Sequence, residues 1–241
     1  MESIKFINLT KKYKDVTAVD NLNLTINKNE LFSLLGVNGA GKSTTIKMLS
    51  CLVKPTSGEA FIEGYSILKD EYRVKELIGV SPQETSIAFN LTVKENMEFI
   101  CGIYGFSKGK SVQTVKELTN QFNLNDVLNK KASKLSGGYK RRLSIALSLI
   151  GEPSVLFLDE PTLGLDVIAR SELWDIINKL KEKVTIILTT HYMEEAETLS
   201  DRIGIMKDGK LLVVGTVDEL LKQTNTTRIE QAFISIVKEE R

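Results

Sequence analysis

The stretch LFSLLGVNGAGKST, residues 31–44, decides the fold. Its first five residues are a short apolar run with the look of a buried strand, and the run passes straight into glycines. From Thr44 to Leu52 the pattern turns helical. Strand, glycine-rich loop and helix in that order is the context a G-x-x-x-x-G-K-[ST] match requires. Glycines let successive backbone N–H groups turn inward onto phosphate oxygens, and the helix start adds partial positive charge. Within such a cradle Lys42 reaches the β- and γ-phosphates of a nucleotide, and the Ser43 hydroxyl ligates Mg²⁺. The glycine order, G-x-x-G-x-G, does not suit a dinucleotide. Asn27-Lys28-Asn29-Glu30 only vaguely matches a guanine-selecting tetrapeptide, precedes the loop and ends in the wrong acid, so adenine is favoured.

Working outward, Leu22, Leu24 and Ile26 alternate as in a half-buried strand. Further strands read at Ala60–Ile62, Ile78–Val80, Val155–Leu158, Val184–Leu188 and Ile203–Met206, and Asp208-Gly209 is a hairpin turn between two apolar strands. Thr92 with Glu95 makes a capping box that opens a helix towards Tyr104; Val112, Val115 and Phe122 mark one face of a second. Thr216 with Glu219 caps a short helix, and Ile229, Ala232, Phe233, Ile236 and Val237 form the apolar stripe of a terminal one. Strands alternating with helices predict an α/β fold with a mainly parallel sheet covered on both faces, and residues 84 to about 150 predict a helical insertion.

Three more groups point to nucleotide chemistry. VLFLDEP, residues 155–161, is an apolar strand ending in two carboxylates, at the edge where an open α/β sheet receives its ligand. Asp159 is placed to hold Mg²⁺, through water, and Glu160 to polarise or deprotonate an attacking water. His191, the only histidine, follows the apolar strand VTIILTT; if the two strands are neighbours it can donate to the γ-phosphate or to that water. Gln83 stands at a third strand end and can complete the shell of metal and water.

Together these residues closely resemble the ATPase subunits of ATP-binding-cassette (ABC) transporters, over essentially the whole chain. Tyr13 in KKYKDVTAV resembles the aromatic on which adenine stacks, and the resemblance implies that Val19, at the end of that stretch, also contacts the nucleotide. Gly36, Asn38, Gly39, Ala40, Gly41, Lys42, Ser43 and Thr44 resemble the Walker A loop, Gln83 the Q-loop glutamine, and VLFLDE the Walker B strand. Ser136, Gly137 and Gly138 in LSGGYKRRL resemble the family signature, PTLGLD ending at Asp166 the D-loop, and His191 the switch histidine. The resemblance implies a P-loop NTPase core with an N-terminal antiparallel β subdomain, residues 1–83 and 151–241, and an inserted α-helical subdomain, residues 84–150, that carries the signature. It also implies that the signature binds ATP held by an opposite subunit, so that two cassettes, identical or not, close around two ATP and Mg²⁺. Hydrolysis of ATP to ADP and phosphate is then coupled to transport through a separate membrane permease, docked near Gln83 on Phe89 to Glu95. Val37 replaces a common proline, and Tyr139 replaces the common glutamine of LSGGQ. Tyr139 followed by KRRL, with TTHYMEEAE and the short tail, resembles the branch that exports drugs, antibiotics, sodium or lipids.

Charge and composition bound the partners. Thirty-two basic and 31 acidic side chains leave a net charge of +1, so no global field favours nucleic acid. The cations at 140–142 are a weak case for a nucleic-acid patch; a place near the polyphosphate or pairing with acidic neighbours is expected instead. No apolar run approaches the roughly 18 residues that span a bilayer, and the start lacks a leader, so a peripheral place on the cytoplasmic side of the membrane is expected. Cys51 and Cys101 read as buried thiols in a reducing compartment. The rival readings are a soluble ABC ATPase acting on ribosomes or DNA, and a nucleotide-gated regulator.

Overall fold

The computed structural model describes residues 1–239. The chain opens on a long hairpin, β1 (Glu2–Tyr13) with β2 (Val16–Asn27), and then enters β3 (Leu31–Gly36) and α1 (Lys42–Leu49). Next come β4 (Ser57–Ile62), β5 (Tyr65–Ser66), α2 (Glu71–Leu77) and β6 (Ile78–Ser81). A helical stretch follows with α3 (Val93–Ile103), α4 (Lys108–Gln121) and α5 (Gly137–Ser148). The chain then alternates through β7 (Val155–Asp159), α6 (Val167–Leu180), β8 (Thr185–Thr190), α7 (Met193–Leu199) and β9 (Arg202–Lys207). It ends with β10 (Lys210–Gly215), α8 (Val217–Thr224) and α9 (Ile229–Glu239).

Among the described residues there are two sheets. The first is antiparallel, in the order β2-β1-β4-β5; the second has six strands in the order β10-β9-β3-β8-β7-β6. In the second sheet β6, β7, β8, β3 and β9 all run parallel, and only the edge strand β10 is antiparallel. Its central strands are apolar on both faces, as parallel strands covered by helices must be. Successive residues divide between two cores: Leu31, Leu156, Leu158, Ile186 and Leu188 pack under α3 to α6, whereas Phe32, Leu34, Val155, Phe157 and Ile187 pack with α1 and the antiparallel sheet. The period of two along a strand puts a core on each side. A third core forms where Leu35, Ile203 and Ile205 meet Ala196, Leu220 and the stripe Ile229, Ala232, Phe233 and Ile236 of α9.

Local chemistry sets the helix ends. At Thr92 the capping box is complete: the Glu95 N–H donates to Thr92 Oγ1 at 3.1 Å and the Thr92 N–H to Glu95 Oε2 at 2.7 Å. The same reciprocal pair closes at Thr216 and Glu219. Other expectations needed correction. The helix after the phosphate loop stops at Leu49 and not at Leu52, because Ser50 caps it and Cys51 turns left-handed at φ 57°. Val112 faces solvent, so of the three only Val115 marks a buried face within α4, and the buried Phe122 is the residue that caps its end. Cys101 is buried, whereas Cys51 is half-buried. The strand β1 and the helix α2 have no clear periodic signal: seven of the twelve residues of β1 are polar, and α2 buries only Val74.

Candidate functional site

The site lies where β3, β6, β7 and β8 present their carboxyl ends side by side. β3 delivers the chain into a loop whose two glycines, Gly39 at φ 85° and Gly41 at φ 104°, adopt conformations that L side chains avoid. At Gly41 there is also no room, since a Cβ would stand 2.3 Å from the Ala18 carbonyl oxygen on β2. Gly41 is the N-cap of α1 and provides no side-chain cap, so the first N–H groups of the helix face the loop with no side chain bonded to them. A helix start of this kind favours an anion.

Lys42 emerges from that start and is nearly fully buried. Its Nζ donates to the carbonyls of Gly36 at 2.7 Å and Val37 at 3.1 Å, and stands 3.8 Å from Glu160 Oε1. Burial lowers its pKa from the usual lysine range, and the nearby Glu160 and Asp159 act against that. One residue on, Ser43 Oγ donates to Asp159 Oδ1 at 3.0 Å, and the Thr189 hydroxyl donates to the same oxygen. Asp159 ends β7 directly beside Thr189 of β8, so the sheet register fixes this contact.

Glu160 takes a left-handed backbone, φ 48°, which a side-chain-bearing residue adopts only when its surroundings hold it there. What holds it is the next strand: its N–H donates to the Thr189 carbonyl at 3.0 Å and also approaches Thr189 Oγ1 at 3.2 Å. The twist turns the carboxylate towards His191, whose Nδ1 lies 2.9 Å from Glu160 Oε2. That approach is oblique to the ring N–H, and Nδ1 has no hydrogen bond of good geometry. The imidazole also rests on Tyr192, with the ring centres 4.2 Å apart.

These groups enclose one cavity of about 420 Å³, lined by Asn38 to Thr44 together with Gln83, Glu160, His191, Ala18 and Leu163. Gln83 is exposed on the turn after β6 and faces this space. Val19 is fully buried and packs behind Gly41, so that Ala18 is the β2 residue facing the cavity. Tyr13 lies at the end of β1, half-exposed under Lys11 Nζ at 4.9 Å, and does not line the cavity. Ser136, Gly137 and Gly138 are not in its wall either. They open α5 on another surface, against Leu165 and Ala169, with Ser136 making no side-chain cap. Asp166 is exposed and caps α6 by accepting from the Ala169 N–H at 2.9 Å.

The sequence did not show how three buried charged residues are held. Arg141 of α5 donates to the carbonyls of Pro82 and Gln83, each at 2.7 Å, and Arg142 lies 3.4 Å from Glu172 and stacks on Tyr139. Of the two places expected for these cations, pairing with an acidic neighbour is found for Arg142, and neither arginine lines this cavity. Glu195 of α7 is completely buried, and burial raises its pKa above the usual carboxylate value. Trp174 Nε1 donates to its Oε1 at 3.3 Å, while its Oε2 and the hydroxyl of nearby Thr162 lack well-formed hydrogen bonds.

A family profile described as "ABC transporter" matches residues 19–163, which contain the phosphate loop, the Gln83 turn, the start of α5 and the Asp159-Glu160 strand end. The chain belongs to the ABC transporter family. It is 41% identical over 235 residues to the probable multidrug ABC transporter ATP-binding protein YbhF of Escherichia coli, a match covering 95% of this chain but only 40% of that protein's length. It is 38% identical to the linearmycin resistance ATP-binding protein LnrL of Bacillus subtilis, covering 96% of this chain and 75% of that one. A solved ATP-binding subunit of an ABC transporter superposes with a TM-score of 0.86 at 26% identity, over 98% of this chain and 99% of its own. A dimeric ATP-binding cassette in a post-hydrolysis state, bound to ADP and Pi, superposes at 0.79 with 29% identity, over 89% and 98%.

The donor set around Asp159 suits a hard cation. Ser43, Asp159 and Gln83 offer oxygen ligands, the kind Mg²⁺ takes, although Asp159 already accepts two hydroxyls. Among the described residues no cluster of three or more His, Cys, Asp or Glu could hold a metal by itself. Mg²⁺ here would need phosphate oxygens to complete its shell.

Proposed function

We propose that this chain binds and hydrolyses ATP as the cassette subunit of an ABC membrane transporter of the exporter branch, closing as a dimer to drive a separate permease. The observation that carries the reading is the meeting of Lys42, Glu160 and His191 in one cavity, with the Ser136–Gly138 helix start exposed elsewhere. One chain then supplies half of each of two sites, and a second cassette supplies the rest. The names of its relatives support the exporter branch.

In this reading the amides of Asn38 to Ser43 and the Lys42 ammonium hold the β- and γ-phosphates, exchanging the Gly36 and Val37 carbonyls for phosphate oxygens. Tyr13 stacks the adenine, with Val19 behind the loop. Ser43, Asp159 and Gln83 are the residues that would hold Mg²⁺, which would supply charge neutralisation at the phosphates. Water attacks the γ-phosphorus as the bond to ADP breaks. Glu160 takes the water's proton, and His191 holds the carboxylate on one side and donates to the transferring phosphoryl group or the water on the other. Asp166 and the turn before it lie at the cassette junction, beside the partner's phosphate.

Residues 84–150 act as the signature-bearing subdomain, and residues 1–83 with 151–241 as the nucleotide-binding core. The permease docks near Gln83 on Phe89 to Glu95, where Phe89 is 48% exposed. No helix among the described residues is long and apolar enough to cross a membrane, so a place on the cytoplasmic face rests on that docking. The test is capture: tagged Glu160→Gln protein held with Mg-ATP, recovered from solubilised native membranes, with its partners identified by mass spectrometry. A stoichiometric multi-spanning protein is the expected result. Ribosomal or DNA-bound partners without a membrane protein overturn the transport reading and leave the ATP chemistry standing.

A further inference from the structure

The helix that begins at the signature is bolted to the Gln83 turn by a single side chain. Arg141 lies one turn inside α5, 5% exposed, and its Nη1 and Nη2 donate to two consecutive carbonyls, Pro82 and Gln83, both at 2.7 Å. Among the described residues it has no carboxylate within ion-pair distance. A guanidinium is costly to bury without a paired carboxylate, and here its side-chain hydrogen bonds go to backbone oxygens, with the charges of Asp159 and Glu195 acting on it from beyond ion-pair distance. One helical turn further along the same face, Ser144 Oγ meets Ser81 Oγ at 3.1 Å at the end of β6. The face of α5 that looks at β6 and the Gln83 turn is therefore polar, whereas Leu143, Ile145, Ala146 and Leu147 of the same helix pack in apolar core.

We infer that Arg141 is a positioning residue that makes the Gln83 turn and the signature-bearing helix move as one piece. The inference rests on the proposed ATP site, in which Gln83 faces the nucleotide of its own chain and Ser136–Gly138 face that of the partner. The planar fork of an arginine can hold two adjacent carbonyls at fixed spacing and direction, which the point charge of a lysine cannot. A displacement of Gln83 on nucleotide binding then re-aims the start of α5, so occupancy of one half-site presets the other.

The test uses the full chain carrying Glu160→Gln, with Arg141→Met and Arg141→Lys added separately. The readouts are Mg-ATP affinity, ATP-dependent dimerisation by analytical ultracentrifugation, and amide hydrogen exchange. Both arginine variants are expected to bind Mg-ATP with unchanged affinity and keep the ATP-induced protection of residues 36–44. Both are expected to lose protection at residues 134–141 and to weaken the dimer about tenfold or more, within the roughly 5–150-fold range of such couplings. The lysine variant keeps the charge, so its failure isolates the fork. Dimers as tight as those of the Glu160→Gln parent, with protection of both segments intact, overturn the inference. So does loss of protection at 36–44 in both variants, which is the mark of general unfolding. If the Glu160→Gln parent itself forms no ATP-dependent dimer, the shared-site reading has failed independently of Arg141.

Discussion

Replacing Glu160 with glutamine separates binding from chemistry. The amide has the size of the carboxylate it replaces, and the left-handed turn at this position is held by main-chain bonds to Thr189, so the backbone should not move. What changes is charge and basicity. General-base catalysis is worth about 10²–10⁴-fold, so kcat should fall by about 3–5 kcal/mol of transition-state stabilisation. Affinity should move the other way or not at all. Glu160 Oε1 lies 3.8 Å from Lys42 Nζ, a gross attraction of about 4 kcal/mol in an effective dielectric of about 20, and its loss frees the ammonium for a phosphate. Phosphate release at saturating Mg-ATP measures the first quantity, and equilibrium binding of ATP measures the second. The variant should bind ATP at least as tightly as the parent, hydrolyse it slowly and accumulate as a dimer. Undiminished turnover, or ATP binding that fails in step with turnover, would refute the assignment of Glu160 as base.

Two further expectations follow from the same geometry. Because Lys42 and Ser136 belong to different surfaces of one chain, Ser136→Arg and Lys42→Ala proteins should each lack ATP-dependent dimerisation, while their mixture regains it through one intact composite site. No recovery in the mixture argues against sharing. Burial raises the Glu195 pKa above the ordinary 4.5 and so favours the neutral carboxyl. Its contribution to stability is then complete below about pH 4.5 and is lost as pH rises through the folded-state value. Glu195→Gln cannot ionise, so wild-type Tm should fall relative to that variant as pH is raised from 4.5 to neutrality; a constant gap would show that the group is not held neutral.

The sequence carries most of the site where function is written in consecutive residues. The loop from Gly36 to Thr44 and the end of VLFLDE are contiguous, and each follows an apolar strand, so their chemistry can be placed before any contact is known. The antiparallel hairpin partner β1 is harder, because a strand covered on one face and interrupted by polar residues has no continuous apolar run. The strain at Glu160 was not legible at all: it depends on Thr189, twenty-nine residues away, reaching across from the neighbouring strand. Ala18 taking the place expected for Val19 is likewise a matter of strand pleat, since adjacent residues point to opposite sides.

The three cations at 140–142 show why spacing along a helix matters more than local charge. Successive residues on α5 are turned by about 100°. Lys140 therefore rides at the surface over the Phe89 ring at 5.6 Å, Arg141 enters the seam beside β6, and Arg142 turns to Tyr139 and Glu172 on the side of α6. A reading by composition sees one basic patch; the helix makes three separate contacts. A signal for the middle one was present in the sequence. Arg141 and Ser144 stand at the i, i+3 interval on one side of a helix whose buried positions are otherwise apolar except for Arg142, and polar side chains on a buried helix face mean that the neighbouring element must offer partners. Here Arg141 finds the carbonyls of the turn that carries Gln83 and Ser144 finds the Ser81 hydroxyl, which ties the helix that begins at Ser136–Gly138 to a residue that lines the cavity.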